Sequence, residues 1–327
     1  VKDSENHLIF LSIINGFSFS YSNGVEFYIK HPSKFETLDS EKEYIKHLKI
    51  AQEKKIPTYE QRESEIINDG VFSKKENESI KNDRLLIEHM REQISQSYLF
   101  SKRKIFKKEI SEAINRIDKL MVKKNILIGR TAEQFANERL LYYKIFNNTY
   151  KDQNFKHKYF EVEPEQEEYN EFVNLYKKEI NKINGESIKN IALSSYFISM
   201  YNMCGDNAYF FYGKPIIHLT DFQSDLFIYG KYFKDLMSRY GGEIPDEMKE
   251  KPDDIIEWFE IKQNVDKFKV LEGDGDDNKN ASTIVGATKE DLKIMGVIPA
   301  QMANMSEIMA KKGKTVLSKD DLYNMDS

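Results

Sequence analysis

Cysteine is nearly missing from this chain of 327 residues: Cys204 stands alone. No internal disulfide can form, and a lone thiol suits a reducing compartment. Long apolar runs are missing too. The longest uncharged stretch, residues 190–205, contains three serines and two asparagines, too short and too polar to span a bilayer. Residues 8–14 resemble a signal-peptide core, but Asp3 and Glu5 spoil the basic flank and no small-residue cleavage site follows. The expectation is therefore no targeting segment and no membrane. Neither sign of charge dominates, with Lys+Arg 49 against Asp+Glu 54 and a formal charge of −5. Nothing global advertises nucleic acid or anionic lipid. Histidines number six and are scattered, and no internal repeat is evident.

What is present begins as β. Leu8-Ile-Phe-Leu-Ser-Ile-Ile14 is followed by Asn15-Gly16; Phe17, Phe19 and Tyr21 then alternate with serines; Asn23-Gly24 precedes Val25-Glu-Phe-Tyr-Ile-Lys30. Asn-Gly between such segments signals a type I′ hairpin turn, because both central residues need positive φ. Two turns predict a three-stranded meander, ended by His31-Pro32.

From Asp39 the period becomes helical, with capping boxes as start signals at Ser40/Glu43, Thr58/Gln61, Ser73/Glu76, Thr131/Gln134, Thr220/Gln223, Thr288/Asp291 and Ser318/Asp321. Ile80, Ile87 and Ile94 recur at sevens, with Met90 between them. Phe106, Ile110, Ala113, Ile117, Leu120 and Leu127 follow at threes and fours, broken only by Lys124. That is a coiled-coil seam, and the phase break over 95–101 makes it an antiparallel hairpin of two helices. Residues 131–150 predict a further helix. Residues 155–261 read as a helical domain whose centre, 196–233, holds 12 aromatics, punctuated by Gly205, Gly213 and Pro215. Residues 272–282 are Glu, Gly, Asp, Asn, Lys, Ala and Ser, a linker composition, and 283–327 carries short apolar helical patterns too small for a core.

Candidate chemistry is sparse. Gly313-Lys314-Thr315 resembles the end of a P-loop, but the earlier glycine that lets amides wrap phosphates is Ile308. Asp274, Asp276 and Asn278 have the spacing of the first EF-hand ligands, yet Lys279 replaces the turn glycine and Val285 the final glutamate; an acidic linker is preferred over a calcium loop or a transferase metal site. His218 with Asp221 and Asp225 could share a helix face as metal ligands, and the blander account is a polar cap beside Thr220. Cys204 could be a nucleophile only with His218 as its base; a buried free thiol is preferred. Residues 101–124 carry nine Lys/Arg against three Asp/Glu. They occupy positions left over by the seam, so an outer helix face is preferred over a nucleic-acid surface.

Gly213-Lys-Pro-Ile-Ile-His-Leu-Thr-Asp-Phe-Gln-Ser-Asp-Leu-Phe227, Pro252-Asp-Asp-Ile-Ile-Glu-Trp-Phe259 and Thr283-Ile-Val-Gly-Ala-Thr-Lys-Glu-Asp-Leu292 resemble phrasing in the virion and assembly proteins of large tailed bacteriophages. The Lys-, Asn-, Ile- and Glu-rich style fits that source, as does Val1, read as a GTG start translated literally. The resemblance brings no catalytic residues.

The fold expected is mainly α: an N-terminal β-meander (1–35), a coiled-coil helical hairpin with flanking helices (36–150), an aromatic-rich helical domain (151–262), an acidic linker (263–282) and a tethered docking tail (283–327). The function expected is non-enzymatic, a structural or assembly protein of the tail, baseplate or connector region. Its partners would be other phage proteins or copies of itself, in the virion or host cytoplasm, with no cofactor and no metal. The alternative is a nucleic-acid-associated or transcription accessory factor, and a third reading is an enzyme with a pocket around His218. Phe211, Tyr212, Trp258, Leu292, Met295, Met305 and Ile308 are the expected partner-binding residues.

Overall fold

The computed structural model describes residues 2–22, 25–97, 99–162, 164, 166–271 and 291. The first half of the chain runs α1 (Lys2–Asn15), β1 (Phe17–Ser22), β2 (Val25–Lys30), α2 (Lys34–Glu53), α3 (Tyr59–Asn68), α4 (Lys74–Gln96), α5 (Phe100–Ile128), α6 (Ala132–Asn148) and β3 (Thr149–Tyr150). The second runs α7 (Gln166–Lys182), α8 (Gly185–Leu193), α9 (Ser195–Met203), α10 (Ala208–Tyr212), a 3₁₀ turn (Ile216–His218), α11 (Asp221–Tyr240) and α12 (Pro252–Leu271). The fold is mainly α with one small antiparallel sheet, as expected.

The chain forms two compact units, Val1–Asn68 with Ile128–Arg239, and Asp69–Leu127 with Tyr240–Ser327. They interleave, unlike the sequential domains expected from composition: the hairpin leaves the first unit at Asn68 and groups with residues from the end of the chain.

In the first unit the start of the chain is a correction. Residues 8–14 are helix α1, not the first strand of a meander. An unbroken apolar run does not distinguish a buried helix from a buried strand. Here Ile9, Phe10 and Ile13 turn inward while Leu8 and Leu11 face solvent, a helical split. Gly16 is accordingly not a hairpin residue. At φ +75 it closes α1 in the left-handed conformation, its N–H donating to the Ser12 and Ile13 carbonyls. β1 and β2 do form the expected antiparallel pair, with Phe17 opposite Lys30; Asn23 and Gly24 lie outside the described residues. The third strand is β3, brought in after α6 and pairing Thr149 with Ile29. Behind this sheet Phe27, Ile29, Ile145, Phe160, Phe172 and Tyr176 form a core.

Reciprocal boxes open α3 at Thr58/Gln61, α4 at Ser73/Glu76, α6 at Thr131/Gln134 and α11 at Thr220/Gln223. The box expected at Ser40/Glu43 is corrected. α2 begins earlier, at Ser33 with Glu36, and Ser40 is buried inside the helix. Ser33 follows Pro32 directly, and Pro32 cannot continue a helix backward from it. Thr288 and the Ser318/Asp321 box lie outside the described residues.

In the second unit α4 and α5 run antiparallel, tied by Glu76 to Lys123 (2.6 Å) and Asp83 to Arg116 (2.6 Å). Ile80, Ile87 and Ala113 are buried in the seam, with Met90, Ile94, Phe106, Ile110, Ile117, Leu120 and Leu127 half-buried. Two basic residues expected on or beside this seam's outer face are buried instead. Lys124 donates to Asn77 Oδ1 (2.8 Å) and lies over the Phe72 ring. Arg103 donates to the Ile94 and Ser97 carbonyls and pairs with Glu257 and Glu260 of α12. The hairpin is therefore joined by a third helix. α12 runs on to Leu271, so residues 263–271 are helix and not the expected linker. From the expected tail, the Asp291 carboxylate accepts from Ser101 N–H (2.8 Å) and Ser101 Oγ (2.7 Å) at the start of α5, where a carboxylate complements the helix dipole.

Candidate functional site

A polar cavity of about 220 Å³ lies in the first unit, lined by Asn15, Gly16, Lys30, His31, Ser33, Glu36, Phe155, Lys214, His218 and Thr220. Local structure explains the convergence. Gly16 ends α1 and its carbonyl accepts the His31 N–H (2.8 Å), setting the end of β2 beside the helix terminus. Ser33 and Thr220 form an isolated antiparallel bridge, with Lys34 N–H donating to the Leu219 carbonyl (2.9 Å). The N-termini of α2 and α11, each capped by its own box, thereby sit side by side. Gln223 locks the arrangement: its side-chain amide donates to the Ile13 and Ile14 carbonyls, and its backbone carbonyl accepts Tyr212 O–H (2.8 Å).

Lys30, Glu36 and Lys214 bring three charges to the cavity wall, beside the buried His31 ring. Burial works to raise the Glu36 pKa, but hydrogen bonds from Lys30 and Ser33 outweigh it and hold the carboxylate below its ordinary value. His31 is 2% exposed. Its Nε2 lies 2.8 Å from Ser18 Oγ, its ring meets Phe222 edge-on, and its Nδ1 has no hydrogen-bond partner among the described residues. Burial, helped by the Lys214 charge, lowers its pKa to about 4. Burial lowers Lys214 as well, against the attraction of the Glu36 carboxylate and with the repulsion of Lys30, and its ammonium lies near Gly16.

Ser18 and His31 resemble a nucleophile–base pair, but no acid orients Nδ1, both side chains are buried, and a base titrating near 4 is poorly matched to neutral pH. The cavity wall carries both cations and the Glu36 carboxylate.

The residues singled out from sequence are dispersed. Phe211 and Tyr212 are half-buried in an aromatic cluster with Phe197, Tyr201 and Phe227, and burial pushes the Tyr212 phenol up. Trp258 is 3% exposed and packs edge-on against Tyr240, beside a second cavity of about 210 Å³ bordered by Phe100, Met248 and Ile261. Leu292, Met295, Met305 and Ile308 lie outside the described residues, as do the P-loop-like and EF-hand-like stretches. His218 packs on Phe35 (6.5 Å), and among the described residues no group of three or more His, Cys, Asp or Glu could hold a metal. Cys204 is buried, its thiol donating to the Tyr201 carbonyl (2.9 Å). Much of the basic stretch 101–124 is answered by acids: Arg103 and Lys107 by Glu257, Arg116 by Asp83, Lys123 by Glu76.

Sequence reasoning missed an apolar surface and the cavity. Met203 is 81% exposed and Phe210 73%, with Tyr209 beside it; Ile216 is 65% exposed, followed by Ile217 in the turn that packs on α2, where Phe35 and Leu38 are also exposed. The aromatic density over 196–233 pointed to this region without separating its inner from its outer face. His31 and Lys214 lie too far apart in sequence for any spacing to join them. Among the described residues no helix is long and apolar enough to cross a membrane. No family model, curated protein or solved structure matches the chain.

Proposed function

We propose that the chain is a non-enzymatic structural or assembly component of a tailed bacteriophage, of the tail, baseplate or connector region, working through protein–protein contacts in the virion or host cytoplasm. The observation that carries the mode of action is the exposure of the large apolar side chains Met203, Tyr209, Phe210, Ile216 and Ile217 within one stretch of the chain. Large apolar side chains grouped on a surface mark an interaction site, because water gains by their burial. Aromatic side chains supply rigid contact area at low entropic cost, and methionine adapts to irregular surfaces. The setting comes from the resemblance of residues 213–227, 252–259 and 283–292 to virion proteins.

The test is substitution at that surface. Phe210→Asp with Ile216→Asp should leave the melting temperature near that of the parent, since both side chains are already in water, while assembly with the partner fails. Normal assembly by the folded double variant would sink the proposal. Retention of the parent on DNA in a salt-dependent manner would favour the accessory-factor reading instead.

A further inference from the structure

We propose that the cavity beside Trp258 in the second unit is the docking site of the chain's own residues 292–298, which enter it from the anchored Asp291. This goes beyond the assembly role and does not depend on it.

Three observations converge. First, Asp291 fixes where the segment starts. Its carboxylate accepts from the Ser101 N–H (2.8 Å) and from the Ser101 hydroxyl (2.7 Å), and the residue is 1% exposed. Two bonds from one side do not shield a carboxylate so completely; packed chain must cover the rest. Ser101 directly follows Phe100, and Phe100 lines the cavity. Each further residue adds at most about 3.8 Å of chain, so the residues after Asp291 start out beside that wall.

Second, the segment matches the space in shape and polarity. Phe100, Met248, Trp258 and Ile261 supply the apolar wall of about 210 Å³ of open volume. A cavity of about 150 Å³ already accepts benzene. Within 292–298 every residue is apolar except Lys293 and Gly296. Asp291 has helical backbone. On a continued turn Ile294 and Met295, three and four residues on, share its face. A methionine among branched side chains suits an irregular space.

Third, charge and tethering select this occupant. Glu247, Lys251 and Asp254 also border the cavity, one more acid than base, and the single charge of the segment is Lys293. The signs are complementary, and a lysine can lay its stem on an apolar wall while its ammonium stays in water among carboxylates. Cavity and segment belong to the same compact unit. Covalent connection makes the encounter intramolecular, so seven residues dock without the entropic cost of bringing two chains together.

Trp258 is the only tryptophan of the chain and stands in the cavity wall, so its fluorescence reports on the site. The first measurement is its emission and its quenching by acrylamide in the full chain. Ile294→Asp with Met295→Asp sets two charges against an apolar wall. Trp258 emission should shift to the red and its shielding from acrylamide should be lost, with the helical circular dichroism kept. Met305→Asp with Ile308→Asp, further along the chain, should leave both readings unchanged. The second measurement places a benzophenone photo-crosslinking residue at Met295, in a mixture of isotope-labelled and unlabelled protein. It should join to peptides of 247–261 that carry the same label as itself. A Trp258 as shielded in the first double variant as in the parent, or as exposed by the second, overturns the proposal. So do cross-links that miss 247–261. Pairs of mixed label would seat the segment of a second copy in the cavity and overturn it as well. If the first variant unfolds, the cross-link decides alone.

Discussion

The side-chain amide nitrogen of Gln223 lies 2.9 Å from the carbonyl oxygen of Ile13, joining α11 to the end of α1 across most of the first unit's sequence. The same nitrogen reaches the Ile14 carbonyl, and the side-chain oxygen accepts from Thr220 N–H. Gln223→Leu keeps the volume roughly constant, takes the donor from the Ile14 carbonyl and one of two donors from the Ile13 carbonyl, and removes half of a capping box. The expected loss is about 2–3 kcal/mol, read as a lower urea midpoint. A midpoint within error of the parent would mean that water replaces the amide freely.

Gly230 sits inside α11, where alanine is normally the better helix former by about 1 kcal/mol. A Cβ there would lie 2.7 and 2.8 Å from the buried Phe197 ring and 3.1 Å from Tyr201. Overpacking of a fixed ring costs about 1–3 kcal/mol and should outweigh the gain. Gly230→Ala is expected to lower the melting temperature; a rise would show that the Phe197 ring can move aside.

His31 makes the fold sensitive to acid. Its folded pKa of about 4 lies below its usual 6.5 because burial and Lys214 disfavour the charged ring. The unfolded chain therefore takes up the proton first. The stability His31 contributes is complete above pH 6.5 and is lost as pH falls through the window from 6.5 to about 4. The loss amounts to roughly 3 kcal/mol. His31→Phe should flatten that part of the stability–pH curve, measured by urea unfolding at each pH. An unchanged slope would place the acid sensitivity elsewhere.

Arg103 is a buried cation of the second unit, set between two carbonyls and the carboxylates of Glu257 and Glu260. Arg103→Met takes a donor from each of the two carbonyls, leaves Glu257 with Lys107 alone and should cost about 3 kcal/mol, whereas the exposed Lys104→Met should change stability by about 0.5 kcal/mol or less. Combining Arg103→Met with Glu257→Gln should cost less than the sum of the two alone. Strict additivity would mean that the Arg103–Glu257 contact carries no energy.

The features legible in sequence were local ones. The seam of α4 and α5 announced itself because heptad spacing reports directly which side chains meet. Thr58, Ser73, Thr131 and Thr220 announced helix starts because capping is settled within four residues. α1 was not legible, since residues 8–14 are apolar without alternation and only the tertiary surroundings of Ile9, Phe10 and Ile13 decide the matter. β3 was hidden by the length of chain separating Thr149 from Ile29. Lys124 and Arg103 broke the expected pattern because a buried charge depends on partners such as Asn77 and Glu257, which no spacing reveals. The same holds for His31 and Lys214: they share a cavity only through the Ser33–Thr220 bridge.

The central claim is that this chain belongs to an assembly. Quantitative mass spectrometry of gradient-purified particles and assembly intermediates, from the proposed phage source, tests that most directly. The account predicts peptides of the chain in at least one of these fractions at a fixed ratio to the other structural proteins. Their absence from particles and intermediates alike, with the chain recovered only free in the lysate, would contradict it.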